Sequence, residues 1–183
     1  MKKLLGLLPL FAIAYLACLV FWGKNETIQA KTLPPITELW QVTKISDGDT
    51  LTVVNTDKKK LKIRFCGIDA PEKKQSLGKE STDLLTKLIK DSENQVVISR
   101  IEIDRYQRTV AEVFSFKPDG SEVFINEELV KNGLAYHYKQ YSDNCPNRNV
   151  IALAENIAKS KKIGVWSGGH VPPWEYRKNK RRK

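Results

Sequence analysis

Between Trp40 and Phe116 the chain runs as short β-rich segments separated by turn signals, and that spacing constrains its fold more than any other feature. Trp40 to Ile45 and Leu51 to Thr56 are joined by Ser46-Asp47-Gly48-Asp49-Thr50, whose Asp-Gly pair is a hairpin signal. A turn at Asp57-Lys58-Lys59 leads into Leu61 to Ile68, where Leu61, Ile63 and Phe65 alternate with Lys62, Arg64 and Cys66. Alternation at a period of two marks a strand with one buried face and sets Arg64 on the other. The first half therefore predicts a meander of three strands. Val96 to Ile103 and Thr109 to Phe116 add two strands around a turn at Asp104-Arg105-Tyr106-Gln107. Apolar residues at helical spacing predict helices over 76–90, 125–131 and 150–161, the second closed by Asn132-Gly133 and the third stopped near Gly164. Five strands with interspersed helices in about 130 residues predict a small α+β barrel.

The 183 residues suit one domain, and 41% hydrophobic with 28% charged residues is a globular mixture rather than a disordered one. Two histidines and three cysteines nearly exclude a His- or Cys-rich metal site. The net charge of +10 favours an acidic partner, either nucleic acid or an anionic surface. That charge is uneven: six basic residues against one acid lie between Trp174 and Lys183, whereas the stretch from Lys31 to Pro173 is nearly balanced. Residues 169–183 are accordingly expected to form a flexible basic tail after a domain at 40–168 and a Pro-containing linker at 31–39.

Lys2 and Lys3 precede a 19-residue apolar run, Leu4 to Trp22. A basic start followed by such a run predicts either a signal peptide cut after Ile28-Gln29-Ala30 or an uncleaved membrane anchor. Both place the domain outside the cytoplasm, secreted or periplasmic in the first case and membrane-held in the second. Cys18 lies in the run, leaving Cys66 and Cys145 as the one pair in the exported part. An oxidising compartment permits a bridge between them. Two unpaired small hydrophobes are the open alternative.

Charged residues stand where strand patterning does not require them. Asp49 lies in the hairpin turn, Asp69 and Glu72 follow the third strand, Arg64 projects from that strand and Arg108 opens the fifth. Carboxylates at strand ends can hold a hard cation, and arginines complement phosphate by paired hydrogen bonds. Those groups are sufficient for phosphodiester hydrolysis. The residues alone equally allow a plain turn at Asp47-Gly48-Asp49 and a surface ion pair between Arg64 and Glu72.

The ordered set Ile45-Ser46-Asp47-Gly48-Asp49-Thr50, Arg64-Phe65-Cys66-Gly67-Ile68-Asp69-Ala70-Pro71-Glu72 and Asp104-Arg105-Tyr106-Gln107-Arg108 resembles the staphylococcal nuclease (thermonuclease-like) family. Asn126-Glu127-Glu128-Leu129-Val130 with Gly133-Leu134-Ala135, and Gly164-Val165-Trp166 near the end, are similar to later motifs of that family. The resemblance implies an OB-fold, a five-stranded Greek-key barrel with about three helices. It implies a Ca²⁺-dependent nuclease acting as a monomer on DNA and RNA, cutting the bond to the 5′ oxygen and leaving 3′-phosphates. By motif position Asp49, Asp69 and the Ala70 carbonyl would hold the metal, although the family's familiar member has Thr where this chain has Ala70. Glu72 would be the general base, Arg64 and Arg108 the phosphate clamps, and Tyr106 and Tyr141 substrate contacts. His137 and His170 have no part in that scheme. Two other classes remain: a non-catalytic nucleic-acid-binding OB module, and an envelope protein whose basic tail touches anionic lipid.

Overall fold

The computed structural model describes residues 38–182. The N-terminal apolar run, both proposed fates of it and nearly all of the linker fall outside the described residues. Among those described, no helix is long and apolar enough to cross a membrane.

The meander forms as its alternation requires. β1 (Leu39–Ile45), β2 (Thr50–Val54) and β3 (Lys60–Phe65) pair antiparallel, with Thr50 opposite Arg64 and Leu51 opposite Ile63. Trp40, Leu51, Val53, Ile63 and Phe65 thereby share one buried interior. After the two-residue β4 (Ile68–Asp69) and helix α1 (Gly78–Lys90), β5 (Gln95–Ile103) pairs with the free edge of β1, and β6 (Thr109–Phe116) pairs with β5. β6 then returns to β3 in parallel, Ile63 beside Thr109 and Phe65 beside Ala111. The strand order β3-β2-β1-β5-β6 so closes on itself. Closure removes the free edges, and it is the five-stranded barrel expected of an OB-fold. Register shifts between Val42 and Lys44 and between Arg100 and Glu102 supply the local bends that closure needs.

A short β7 (Glu122–Phe124) extends β6 and runs directly into α2 (Ile125–Lys131), which ends where Asn132-Gly133 predicts. β8 (Tyr136–His137) pairs with β4, α3 spans Arg148–Lys161, and α4 spans Pro173–Arg181. Leu85 and Ile89 of α1, Ile125, Leu129 and Val130 of α2, and Ile151 and Ala154 of α3 complete the core. Each such large side chain contributes roughly 1.5–3 kcal/mol by leaving water. Gly133 and Gly164 meet back to back: a Cβ on either would fall within 2.4 Å of the other segment's backbone, and Gly133 O accepts the Val165 amide at 2.8 Å. That contact leaves no room for a side chain at either position.

Two expectations need correction. The third strand stops at Phe65 rather than Ile68, because Gly67 takes φ +70° and turns the chain before β4. The three expected helices are joined by a fourth among the described residues. The fourth is α4, so the segment taken for a flexible tail is folded from Pro173 to Arg181. Its start is favoured by Pro173 at the first helical position, and Pro173 is buried.

Two buried polar contacts tie helices to barrel. Asn126 donates to the Cys66 carbonyl at 2.9 Å and accepts the Val113 amide at 3.1 Å. The buried Glu112 carboxylate accepts the main-chain and side-chain N–H groups of Asn147, both at 2.7 Å, and so caps α3 from β6. The Cys66–Cys145 disulfide is formed, with Cα atoms 5.9 Å apart.

Candidate active site

The hairpin turn is built first. Asp47 Oδ1 accepts the Asp49 amide at 3.2 Å, and Ser46 N–H donates to the Thr50 carbonyl at 2.8 Å. Gly48 lies against α1 so closely that a Cβ there would stand 1.9 Å from Ser81 Oγ and 2.8 Å from Ala70 Cβ. Only glycine lets the turn press on both neighbours. The register of β2 with β3 then sets Arg64 opposite Thr50, beside Asp49. Pairing of β4 with β8, Asp69 opposite Tyr136, brings the second aspartate to the same spot.

Arg64 joins the two carboxylates. Its Nη2 donates to Asp69 Oδ1 at 2.8 Å. Its Nη1 lies 2.6 Å from Asp49 Oδ2 but off hydrogen-bond alignment, so that contact is charge against charge. Asp49 Oδ2 also accepts the Ala70 amide at 2.6 Å, and Oδ1 accepts the Thr50 hydroxyl at 3.1 Å. Asp49, Asp69 and Ala70 are buried, whereas the Glu72 side chain keeps 36% of its surface and reaches water. Arg64 and Glu72 therefore do not form the surface pair that the residues alone allowed. Glu72 pairs instead with Arg177 of α4, Nη1 to Oε1 at 2.9 Å.

Arg177 also grips Asp69, donating from Nη2 to Oδ2 at 2.7 Å and from Nη1 to Oδ1 at 3.1 Å. Sequence reasoning missed it by assigning the basic run to solvent. The available signal was Trp174 three residues before Arg177, an apolar anchor and a cation on one helical face.

The charges here are strongly coupled. Burial and the neighbouring Asp49 push the Asp47 carboxyl up to about 6, against the opposing Asp49 amide and Arg64. Burial likewise raises Asp69, while Arg177 and Arg64 pull it back. Burial would depress Arg64, but Asp49, Asp69 and Asp47 hold it above the usual arginine value. Four carboxylates (Asp47, Asp49, Asp69, Glu72) thus face two guanidiniums. The surplus is negative and its donors are hard oxygens, which is the chemistry a divalent cation such as Ca²⁺ requires. Among the described residues no group of three or more His, Cys, Asp or Glu is arranged to hold a metal. A cation at Asp49 and Asp69 would complete its shell with main-chain oxygen, as at Ala70, and with water.

Arg108 and Tyr106 form a second group. Asp104 Oδ2 accepts Arg108 Nε at 2.7 Å and Oδ1 accepts the Arg108 amide at 2.9 Å. The Arg108 guanidinium carbon lies 5.4 Å from the Tyr106 ring centre, with Arg105 over the same ring at 4.9 Å. Among the described residues no hydrogen bond or ion pair joins Arg108 to Asp49 or Asp69, but the β3–β6 pairing starts beside it, at Thr109 opposite Ile63. Tyr106 and Tyr141 are both exposed. Tyr141 leans on Tyr138 at 4.8 Å. His137 is buried and bonded to Ser142 Oγ, and His170 meets Ser167 Oγ.

The family model described as "Staphylococcal nuclease homologue" matches residues 62–168. A protein named as an uncharacterized endonuclease of Haemophilus influenzae is 39% identical over 142 residues, covering 77% of this chain and 74% of its own. An uncharacterized endonuclease of Escherichia coli is 37% identical over 141 residues, covering 76% and 85%. The staphylococcal-like nuclease CAN1 of Arabidopsis thaliana is 38% identical over 124 residues, 67% of this chain but 35% of the plant protein. A family match over more than half the chain, with relatives aligned along most of both lengths on a barrel of the expected closure, makes this chain a member of the staphylococcal nuclease family and a hydrolase of nucleic acids.

Proposed function

We propose that this nuclease depends on Ca²⁺, hydrolyses both DNA and RNA on the 5′-oxygen side to leave 3′-phosphates, and works outside the cytoplasm. The observation that carries this reading is the Asp49–Arg64–Asp69 cluster, two buried carboxylates locked by one guanidinium with Glu72 at the wet rim. Ca²⁺ held at Asp49, Asp69 and the Ala70 carbonyl would supply positive charge to the phosphoryl oxygens and orient the substrate. Arg64 is fixed by its aspartates, so its charge needs no reorganisation as negative charge builds in the transition state. Arg108, braced by Asp104, is the second phosphate clamp. Glu72 takes a proton from the attacking water while the water oxygen bonds to phosphorus. The bond from phosphorus to the 5′ oxygen breaks, and that oxygen leaves with the electron pair and gains a proton. Tyr106 and Tyr141 offer exposed rings to unstacked bases, worth about 1–3 kcal/mol per base. The disulfide and the apolar run at residues 4–22 support export, with the enzyme either released or held at the membrane by that run.

A digest of DNA and of RNA with Ca²⁺ or with a chelator, comparing wild type and Glu72→Gln, tests the reading. Only wild type with Ca²⁺ is expected to cut both polymers, and the variant should lose about 10²–10⁴-fold in rate. Equal cutting in chelator overturns the metal dependence.

A further inference from the structure

Both oxygens of Asp69 are taken by guanidinium groups. Oδ1 accepts Arg64 Nη2 at 2.8 Å and Arg177 Nη1 at 3.1 Å, and Oδ2 accepts Arg177 Nη2 at 2.7 Å. Ca²⁺ binds carboxylate oxygen at about 2.3–2.6 Å. A cation at Asp69 would thus stand where the Arg177 guanidinium stands, with two positive charges nearly in contact. We propose that Arg177 is an intramolecular counter-ion that competes with the divalent cation for Asp69 and must release it before the cation is bound.

The rest of α4 is arranged so that this release is local. Trp174 stacks face to face on Tyr138 (5.3 Å, 5° between planes) and meets the edge of Tyr136 at 5.3 Å. Gln75 donates to the Val171 carbonyl, and its own side-chain oxygen accepts the Glu72 amide at 3.2 Å. These contacts hold the segment from Val171 to Trp174 without help from Arg177. The guanidinium is about one third exposed, so it can swing into water while the helix stays. Residues 171–181 lie beyond the 62–168 matched by the family model, so Arg177 reaches the site from outside that match.

The inference rests on the calcium reading above, and calorimetric titration of the full-length protein with Ca²⁺, in the absence of nucleic acid, separates the two. Arg177→Gln removes the competing charge and should bind Ca²⁺ at least about tenfold more tightly, the worth of one charge-assisted hydrogen bond. Arg177→Lys keeps the charge without the paired geometry and should fall between. If Arg177→Gln does not fold, Trp174→Ala loosens the same plug from its anchor and should also tighten binding. Equal Ca²⁺ affinity in wild type and the folded variants overturns the competition and leaves the calcium reading standing. No Ca²⁺ binding by any of them overturns both.

Discussion

Reducing the Cys66–Cys145 disulfide should cost a large part of the protein's margin of stability. The bridge spans 79 positions of sequence, and the chain-entropy relation for a loop of that size gives about 4.5 kcal/mol at 25 °C. Both cysteines are buried, so reduction at constant sequence leaves the sulfur atoms packed and opens no cavity. The effect should therefore lie in the unfolded chain, which gains freedom once the loop opens. The assay is urea unfolding of the oxidised and reduced protein, followed by fluorescence. Against a usual total of about 5–15 kcal/mol, a loss of 4.5 is large. The dependence on urea should also steepen, because an open chain exposes more surface than a looped one. A loss below about 1 kcal/mol with unchanged steepness would refute the reasoning, since it would mean that the bridge does not restrict the unfolded state.

Glu112→Ala removes the charged acceptor for both half-buried Asn147 donors, so it should cost about 2 kcal/mol in urea unfolding, while Glu112→Gln recovers part of it. His137 is expected to make stability fall on acidification. Burial lowers its basicity, with Lys139 and Lys159 adding to the effect and Glu155 opposing it. Below about pH 6.5 the unfolded chain takes up a proton that the folded protein does not, so stability present above that pH is lost as pH falls. The gap between wild type and His137→Gln should therefore shift between pH 7.5 and 5.5; a constant gap would count against the assignment.

The barrel was legible in the residues because a strand with one buried face must alternate. Leu61 to Phe65 carries that pattern, and α2 starts and stops where its apolar spacing and Asn132-Gly133 require. Asp49, Arg64, Asp69 and Glu72 were found from their positions at strand ends and from motif order. The sequence could not say which partner each charge would choose. That depends on strand register, which sets Arg64 opposite Thr50, and on barrel closure, which brings β6 back beside β3. Arg177 was the largest omission. A basic run reads as solvated because lysine and arginine carry no periodic apolar face. The two rings under Trp174 come from β8 and the turn after it, 38 and 36 residues earlier in the chain. What the chain determined by itself was the local periodicity and the inventory of charges. The tertiary structure alone decided that one arginine from the C-terminal segment lies on Asp69 and Glu72, because two segments distant in sequence meet, stacking a half-buried tryptophan on two tyrosines beside the buried Asp69 carboxylate.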